Sequence, residues 1–370
     1  MSRIRVLQVG KYYHPYIGGA ENHLLILAQE LKKDADINII VANTCFKTTV
    51  EDNMGLRVFR LACLGSIFSL PLTLSLPFWL RKQKADILHF HLPNPLSVLS
   101  YLIARPGGKL VVSYHSDISR QKLFNPLLNP MLKAFLKKAS SIVVSSQNLI
   151  DSSPVLGMFR EKCRVVPFGI NMENFRPEAE VLRKAQEIRR RYDRPLVLFV
   201  GRLVYYKGLE YLLAAMKAID AKLMIVGDGP LKNRLKSLAR CLGVEDKIAW
   251  IGSVENEKIA PYYYACDVFV LPSSAKSEGF GIVQLEAFAC RKPVVSTDLP
   301  TGVVFVNRNG ETGIVVRPCD PADLARGVNK LLGSRELRLA YGRRAREVVE
   351  KEFIKEEMAK SVMNIYKEVV

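Results

Sequence analysis

Two glutamates with a glycine-rich turn between them form the part of this sequence best suited to chemistry. Glu278 and Glu286 bracket the segment EGFGIVQLE, which follows the apolar, strand-like run 267–272. Gly279 and Gly281 leave the backbone open to a ligand, and the unpaired amides at the start of the next helix favour a negatively charged group. One acid precedes that helix and the other lies within it, so they can bind opposite ends of an elongated ligand. The alternative is a capped helix with two incidental acids.

A basic pair stands upstream in the motif GRLVYYKG, just after another predicted strand. Arg202 offers a planar fork and Lys207 a point charge, and together they suit a diphosphate. Both could instead be solvated surface residues. The motif GDGP at 227–230 ends the next strand, and we interpret it as a mainly structural turn, with a backbone contact to the ligand as the alternative.

The first half carries its own glycine pair. Gly18 and Gly19 open a predicted helix, where backbone amides can approach an anion. A simple glycine turn is the other interpretation. The dinucleotide fingerprint G-x-G-x-x-G does not follow Gly10, which argues against a nicotinamide enzyme.

Two histidines lie near the ends of successive strands. His91 closes ILHFH and His115 follows VVSY, so both can reach one binding site. His23 is predicted to be a structural residue on a helix, and His14 remains unassigned. We find no set of His, Asp and Cys with transition-metal spacing, so no metal and no other cofactor is expected.

Apolar runs alternate with amphipathic stretches along the whole chain. The runs are β-branched and apolar on both faces, which indicates parallel strands covered by helices on each side. The fold class predicted is α/β, with two doubly wound Rossmann-like domains facing a central cleft. The predicted strands are 5–10, 37–41, 57–60, 86–90, 110–114 and 141–144 in the first half, and 196–201, 222–227, 247–251, 267–271, 293–296 and 313–316 in the second.

The strand pattern pauses at the turn-rich segment 165–177, where we place the domain boundary. The predicted domains are residues 1–170 and 171–351. A last helix, 352–370, is expected to pack back on the first domain.

The chain is strongly basic, with a net charge of +18. Residues 1–178 carry 22 Lys and Arg against 12 Asp and Glu, and the remainder carries 32 against 24. An anionic partner is therefore expected, but no aromatic-interleaved arginine run or zinc pattern favours nucleic acid. Residues 61–80 carry no charge and are predicted to form a helix of a soluble domain; contact with a membrane surface and a true membrane span are the alternatives.

Taken together and in order, GGAE, HFH, SYHSD, VVPFGIN, GRLVYYKG, GDGP and EGFGIVQLE resemble the retaining GT-B glycosyltransferases of the large family 4, also called glycosyl transferases group 1, with a likeness to mannosyltransferases. The resemblance covers essentially the whole chain. In relatives the junction motif commonly reads Asn-Gly-Val-Asp, whereas here Phe168 and Asn171 occupy its outer positions.

The resemblance implies that the first domain binds the acceptor and the second a nucleotide-diphosphate sugar, without a metal. His115, Arg202, Lys207 and Glu278 would be catalytic, and His91 and His115 would lie on the acceptor side. The implied donor-binding residues are Gly18, Gly19, Arg202, Lys207, Val254, Lys258, Glu278, Gly279, Phe280, Gly281, Ile282, Val283 and Glu286.

The resulting hypothesis is a transferase that uses GDP-mannose or a UDP-sugar and extends a glycan or lipid-linked acceptor of surface polysaccharide or glycolipid. It would be cytoplasmic, as a peripheral protein on the cytoplasmic face of an anionic membrane, and would not bind nucleic acid. Three alternatives stay open: a soluble synthase acting on a free sugar or sugar phosphate, a nucleotide-sugar epimerase, and a non-enzymatic basic binding protein.

Overall fold

The computed structural model describes residues 3–16, 18–67, 70–117 and 125–370. The chain forms two compact units. The first comprises Met1–Gly169 with Lys355–Val370, and the second comprises Ile170–Ile354. Each unit is described below by itself.

The strands are β1 (Ile4–Val9), β2 (Ala35–Ala42), β3 (Thr49–Asn53), β4 (Leu56–Leu61), β5 (Ser66–Ile67), β6 (Leu70–Pro71), β7 (Ile87–Leu92), β8 (Lys109–Tyr114), β9 (Ser141–Val144), β10 (Cys163–Val165), β11 (Leu196–Val200), β12 (Lys222–Val226), β13 (Ile248–Gly252), β14 (Val268–Leu271), β15 (Val294–Thr297) and β16 (Gly313–Val316). The helices are α1 (Gly19–Leu31), α2 (Leu76–Lys82), α3 (Pro95–Ala104), α4 (Asn125–Lys138), α5 (Gln147–Ser152), α6 (Pro154–Gly157), α7 (Ala179–Arg190), α8 (Leu209–Ala215), α9 (Lys232–Cys241), α10 (Ala260–Ala265), α11 (Val283–Ala289), α12 (Gly302–Val306), α13 (Pro321–Leu332), α14 (Arg335–Glu352) and α15 (Lys355–Val369).

The first unit is built on a sheet of order β10-β9-β8-β7-β1-β2-β4-β3. Its strands are parallel except β3, which pairs antiparallel with β4. Alternate residues of β7 enter different cores: Ile87 packs with residues of α1 and α15, and Leu88 with residues of α2 and α3. Because both faces are covered, the central strands are mostly apolar, whereas the edge strand β3 is polar.

Helix α15 comes from the far end of the chain and packs against α1. The carboxylate of Glu30, on α1, is only 7% exposed and accepts from Lys355 at 3.1 Å. Tyr366, also on α15, is buried and donates to or accepts from groups on two strands of the sheet. The last helix therefore belongs to the core of the first unit.

The second unit contains a parallel sheet of order β13-β12-β11-β14-β15-β16. The chain runs from β11 outward to β13 and then returns to the other side of β11 to form β14. The order reverses between β11 and β14, which makes this the point where open α/β sheets bind ligands.

The predicted helix over residues 61–80 is wrong. β4 ends at Leu61, a small antiparallel hairpin pairs β5 with β6, and helix begins only at Leu76; residues 68 and 69 lie outside the described part of the chain. Pro71 and Pro77 explain the difference, because proline is tolerated in an edge strand and in the first helical turn but not inside a long helix. Among the described residues, no helix is both long enough and apolar enough to cross a bilayer.

Candidate active site

The sheet of the second unit brings the basic motif and the first glutamate to one edge. Arg202 and Lys207 follow β11, and Glu278 follows its neighbour β14. Since the carboxyl ends of parallel strands share one edge, residues far apart in the sequence become neighbours.

Lys207 and Glu278 form a buried ion pair. Their Nζ and Oε2 atoms lie 2.6 Å apart, and the two side chains are only 10% and 9% exposed. The hydroxyl of Ser273 donates to the same Oε2 at 3.0 Å. Burial acts to lower the pKa of Lys207, but the attraction of Glu278 outweighs it and the pKa is raised. The ammonium group is therefore held charged in a place that water scarcely reaches.

Glu286 lies on α11 beside the same lysine. Its Oε2 accepts from the hydroxyl of Tyr263 at 2.6 Å. Burial raises the pKa of the Glu286 carboxyl, while the Tyr263 hydrogen bond and the charge of Lys207 partly oppose the rise. Lys207 thus acts electrostatically on both glutamates that the sequence singled out.

The turn between the glutamates is tightly constrained. Gly281 has φ of +75° and would place a Cβ 2.6 Å from a Leu271 methyl group, so only glycine fits without strain. The Gly279 carbonyl accepts from Gly302 N at 2.8 Å. The ring of Phe280 is buried and packs near Phe353, which leaves its backbone as the part that can meet a ligand.

Ile282 and Val283 open α11 and are half-buried. The amides of the next residues already bond back to Gly281 and Ile282, as Gln284 N does at 2.9 Å. The helix therefore begins directly after the turn that follows Glu278.

The remaining residues of the predicted donor set are more exposed. The side chain of Arg202 is exposed, although it comes within electrostatic range of Tyr206. Val254 is half-buried, and Lys258 is exposed and paired with Glu255 at 2.6 Å. Both follow β13, which β12 separates from β11, so the structure places them at the same edge but two strands from Lys207.

The motif GDGP holds two loops together. A Cβ on Gly229 would lie 2.5 to 2.9 Å from backbone atoms of Leu203, and one on Gly227 would lie 2.1 Å from the Gly201 carbonyl. Leu203 N also donates to the Asp228 carbonyl at 2.9 Å. These glycines allow the Arg202 loop to pack directly on the loop after β12, which is a structural role.

In the first unit, the glycine pair stands at the start of α1. Gly18 is the extended residue before the helix, and Gly19 is its first residue. A Cβ on Gly18 would lie 2.1 Å from Glu21 Oε2, so the carboxylate of Glu21 folds back over the helix start. A Cβ on Gly19 would meet nothing within 4 Å, so that backbone is open to an approaching group.

His91 and His115 lie side by side, as the two strand ends indicate. His91 Nδ1 is 3.2 Å from His115 Nε2, and the rings stack at 5.4 Å. His23, which the sequence left as a structural residue, joins them with ring centroids at 5.9 Å from His91 and 5.2 Å from His115. His23 shares the buried side of α1 with Leu27, and this spacing predicts that His23 is buried. The spacing does not predict which strands that side of the helix contacts.

Phe168, one of the departures from the family's junction motif, covers this cluster. Its ring lies 4.3 Å from that of His23 and 5.4 Å from that of His115. Asn171, the other departure, accepts from Glu173 N and caps a short helical turn. Phe168 therefore places an aromatic ring against two of the histidines.

A hydrogen-bond chain fixes the protons of the cluster. Gln8 Nε2 donates to the Tyr366 hydroxyl at 2.9 Å, so its Oε1 is left to accept from His91 Nε2 at 2.7 Å. His91 Nδ1 then carries a lone pair, directed at His115 Nε2. Tyr366 also bonds His89 Nδ1 at 2.6 Å, and His89 Nε2 reaches Ser113 Oγ at 2.7 Å.

Burial keeps these four rings neutral. It lowers the pKa of His89 to about 3 and that of His115 to about 4. The pKa values of His23 and His91 fall well below the usual range, because burial and the neighbouring rings both disfavour a charge. The site in the first unit therefore offers neutral donors and acceptors, not fixed charge.

Both halves of the chain match known family models. Residues 182–348 match the model described as glycosyl transferases group 1, and residues 17–174 match the model described as glycosyltransferase family 4. Over 370 residues, 98% of each chain, the sequence is 31% identical to the O-antigen chain mannosyltransferase C of Escherichia coli. It is 36% identical to a D-rhamnosyltransferase of Pseudomonas aeruginosa over 65% of this chain and 62% of that one.

Solved structures share the fold. Sucrose-phosphate synthase of Thermosynechococcus elongatus has a TM-score of 0.81 at 24% identity and covers 98% of both chains. HepE of Anabaena, solved with UDP, has a TM-score of 0.79 at 19% identity and covers 99% of this chain and 100% of its own. The prediction of two Rossmann-like domains is confirmed, and the chain belongs to the GT-B glycosyltransferases of family 4.

Proposed function

We propose that this glycosyltransferase takes a hexose from a nucleotide-diphosphate sugar and transfers it with retention of anomeric configuration. The observation that carries the proposal is the buried Lys207–Glu278 pair at the point where the second sheet reverses its order. A cation held in a poorly hydrated site stabilises the charge that develops on a departing diphosphate far better than one in water.

Each group at this edge has a role in the proposal. Lys207 keeps N–H donors beyond the one that meets Glu278, and with Arg202 it binds the diphosphate. Glu278 accepts from a hydroxyl of the transferred sugar, beside the amides of Ile282 and Val283. Glu286 accepts from the ribose, and Val254 and Lys258 border the nucleobase.

In the first unit, we assign His115 to the sugar and acceptor edge, His91 to the acceptor side, and Gly18 and Gly19 to the approach of the phosphates. The departing phosphate takes the proton of the attacking hydroxyl on the same face of the sugar, so no separate base and nucleophile are required. Arg202 and Lys207 supply the positive charge, and the proposed reaction needs no bound metal.

The relatives favour two donors. The names of the E. coli and P. aeruginosa relatives specify mannosyl and rhamnosyl transfer, and the Anabaena structure holds UDP. We therefore propose GDP-mannose first and a UDP-sugar second.

Product analysis tests the reaction. Purified enzyme is incubated in EDTA with GDP-mannose or UDP-glucose and with lipid-linked or free sugar acceptors, and the anomeric coupling of the product is read by NMR. We expect an α-linked product from an α-linked donor in the presence of EDTA. Arg202→Ala should lower kcat/KM by about 10²–10³-fold, and Arg335→Ala, an exposed arginine on α14, should not. An inverted product would refute retention, and full dependence on added Mg²⁺ would refute the metal-independent account.

The first unit also presents a surface suited to a membrane. Leu74 and Phe78, at α2, are 72% and 57% exposed, and Leu99 and Ile103, on α3, are 43% and 54% exposed. Arg81 joins the two helices by donating to the Ile103 and Ala104 carbonyls at 3.1 Å.

The charge of this region matches an anionic bilayer. Residues 61–150 contain ten Lys and Arg but only two acids, Asp86 and Asp117. Asp86 is paired with Arg5 at 2.7 Å, and Asp117 accepts from Tyr114 and Ser153. Among the described residues, neither acid is therefore paired with a lysine or arginine of this segment, and Lys82 lies 4.1 Å from the Phe78 ring. Apolar side chains next to lysines suit lipid headgroups and acyl chains.

We propose that the enzyme is peripheral on the cytoplasmic face of an anionic membrane and extends a lipid-linked glycan there. Flotation with phosphatidylglycerol vesicles at low salt tests this, with phosphatidylcholine vesicles as reference. Phe78→Ser with Leu74→Ser should abolish flotation, whereas Phe46→Ser, at a residue 74% exposed elsewhere on the first unit, should not. Wild-type protein that stays with the soluble fraction would favour the alternative, a synthase acting on a free sugar or sugar phosphate, which the sucrose-phosphate synthase fold also suits.

A further inference from the structure

The three histidines of the first unit converge in a way that the proposed transfer does not require. The ligating atoms of His23, His91 and His115 all lie within 4.8 Å of one another. Two rings would suffice to contact a sugar and an acceptor. The third comes from a helix, and His23 has been given no role in the transfer.

The closest pair already has the spacing of metal ligands. Two nitrogens bound tetrahedrally to Zn²⁺ at about 2.0–2.1 Å lie about 3.3 Å apart. His91 Nδ1 and His115 Nε2 are 3.2 Å apart. In the absence of a metal, a proton of His115 lies between these two atoms, and it can move to the other ring nitrogen when an ion takes its place.

The surroundings of His91 are those of a metal ligand. Its Nε2 donates to Gln8 Oε1, which Tyr366 orients in turn. Histidines that bind metals usually donate their second N–H to a carbonyl or carboxylate, which fixes the ring and directs the other nitrogen at the ion. Here that arrangement directs Nδ1 of a neutral ring toward His115.

His23 supplies an independent observation. Its ring is 5% exposed, and among the described residues Nδ1 has no hydrogen-bond partner. A buried polar atom without a partner destabilises the fold unless a ligand or water satisfies it. Beside it is a cavity of about 10 Å³ lined by His23, His115, Ser113, Ser145 and Phe168 among others, and Ser145 Oγ is also without a partner there among the described residues. That volume admits about one water molecule or ion.

We propose that His23, His91 and His115 bind one divalent transition-metal ion of the zinc class, with water as the fourth ligand. Binding requires a small approach of His23, by up to about 1.5 Å to reach tetrahedral spacing. Imidazole nitrogen is a preferred ligand of this class of ion.

The metal would act as an inhibitor, and this consequence rests on the proposed function. His115 is assigned to the sugar and acceptor edge, and it cannot donate there from the nitrogen that an ion occupies. Transfer would then proceed in the metal-free enzyme and stop when the site fills. Binding itself does not depend on the transferase assignment, so the two can be tested separately.

The binding test uses enzyme freed of metal by a chelator. Zn²⁺ is titrated by calorimetry, and Co²⁺ is titrated while the visible absorption of tetrahedral Co²⁺ is followed. We expect one equivalent to bind. His23→Leu should weaken binding by more than about 100-fold, and His14→Leu, at an exposed histidine outside the cluster, should leave it unchanged. Equal affinity in wild type and His23→Leu, or no binding by wild type, would overturn the proposal and leave water as the occupant of the cavity.

Stability provides a check on the His23→Leu variant. Because leucine removes a buried nitrogen without a partner and keeps the volume similar, the variant should melt no lower than wild type. Should it fail to fold, the Co²⁺ spectrum of wild type alone decides the matter, since an octahedral spectrum or no spectrum contradicts a three-histidine site.

Transferase assays with and without Zn²⁺ distinguish a failure of the metal-site proposal from a failure of the proposed transferase function. Zn²⁺ should inhibit transfer by wild type, EDTA should restore it, and His23→Leu should be active and resistant to Zn²⁺. Metal binding with no transferase activity from any donor would count against the proposed function alone. Transferase activity that saturating Zn²⁺ leaves intact would overturn the inhibitory role.

Discussion

The two units place different electrostatics at equivalent edges of their sheets. In the first, histidines from β7, from the end of β8 and from α1 form a largely buried network of neutral rings, with His115 half-buried. In the second, Lys207 and Glu278 face each other as a buried pair of full charges. Both arrangements lie where the strand order reverses, between β1 and β7 and between β11 and β14.

This difference in charge matches the role proposed for each unit, which is acceptor binding in the first and departure of the diphosphate in the second. A departing diphosphate gains negative charge, and a fixed cation stabilises it without reorganising. An acceptor hydroxyl and a sugar are neutral, and neutral imidazoles can orient them without the cost of an unpaired buried charge. The same sheet topology thus supports a charged site in one unit and a neutral site in the other. A few side chains at the strand ends determine which of the two forms.

The largest expected effect comes from separating the charges of the second unit. Lys207→Met leaves Glu278 buried without its cation, and we expect the free energy of unfolding to fall by about 3–5 kcal/mol. Adding Glu278→Gln removes the unpaired charge as well, so the double variant should be more stable than Lys207→Met alone. Urea denaturation of wild type, both single variants and the double variant measures the coupling. Strictly additive losses would show that the pair does not interact as described.

The second largest effect is expected from acid, which should lower the stability of the first unit in particular. Burial depresses the pKa values of its four clustered histidines, while the unfolded chain binds protons near pH 6.5. Their contribution is complete above that pH and is lost as the pH falls toward the folded values, by up to about 1.4 kcal/mol per pH unit and ring. Melting temperatures between about pH 7.5 and 5.5, a range that spans the unfolded pKa, measure it.

His23→Leu is the matched variant for this effect, because it removes one of the four titrating rings. Its melting temperature should depend on pH less steeply than that of wild type, whereas His14→Leu should follow wild type. A stability that stays flat across this pH range would contradict the neutral network.

A smaller effect is expected at Glu286. Tyr263→Phe removes the hydroxyl that donates to Oε2 at 2.6 Å, and we expect a loss of about 1–3 kcal/mol because a buried acceptor loses its donor. The pKa of Glu286, already raised by burial, should rise further. Denaturation at neutral pH measures the first effect, and nucleotide binding as a function of pH measures the second. Unchanged stability would show that the hydroxyl is replaced by water.

The sequence predicts the strands of both sheets well, because a parallel strand buried on both faces leaves a local apolar run. Leu196–Val200 is one such case and ends one residue before the predicted strand, while Ser141–Val144 agrees at both ends. β3 escaped prediction because Thr49–Asn53 is polar and lies at the sheet edge, and β10 because it is very short. The helix predicted over residues 61–80 is wrong because an uncharged segment can form a strand, a turn or a helix.

The site could be predicted in its parts but not in its contacts. Strand ends indicated Arg202, Lys207, Glu278, His91 and His115, since topology alone brings such residues to one edge of each sheet. The pairing of the lysine with the glutamate and the addition of His23 depend on side-chain packing between distant segments, which no local pattern encodes. The position of Phe168 over the histidines could not be predicted for the same reason.

The measurement that tests the central claim most directly is a thermal-shift screen of the metal-free protein against UDP, GDP and ADP and their sugar conjugates. A ligand that binds only the folded state raises stability by about 2.7 kcal/mol at a hundredfold excess over its Kd. The account predicts a shift for one nucleotide family, lost in Arg202→Ala and kept in Arg335→Ala. No shift with any nucleotide, or a shift that Arg202→Ala leaves unchanged, would contradict a donor site at the strand ends of the second unit.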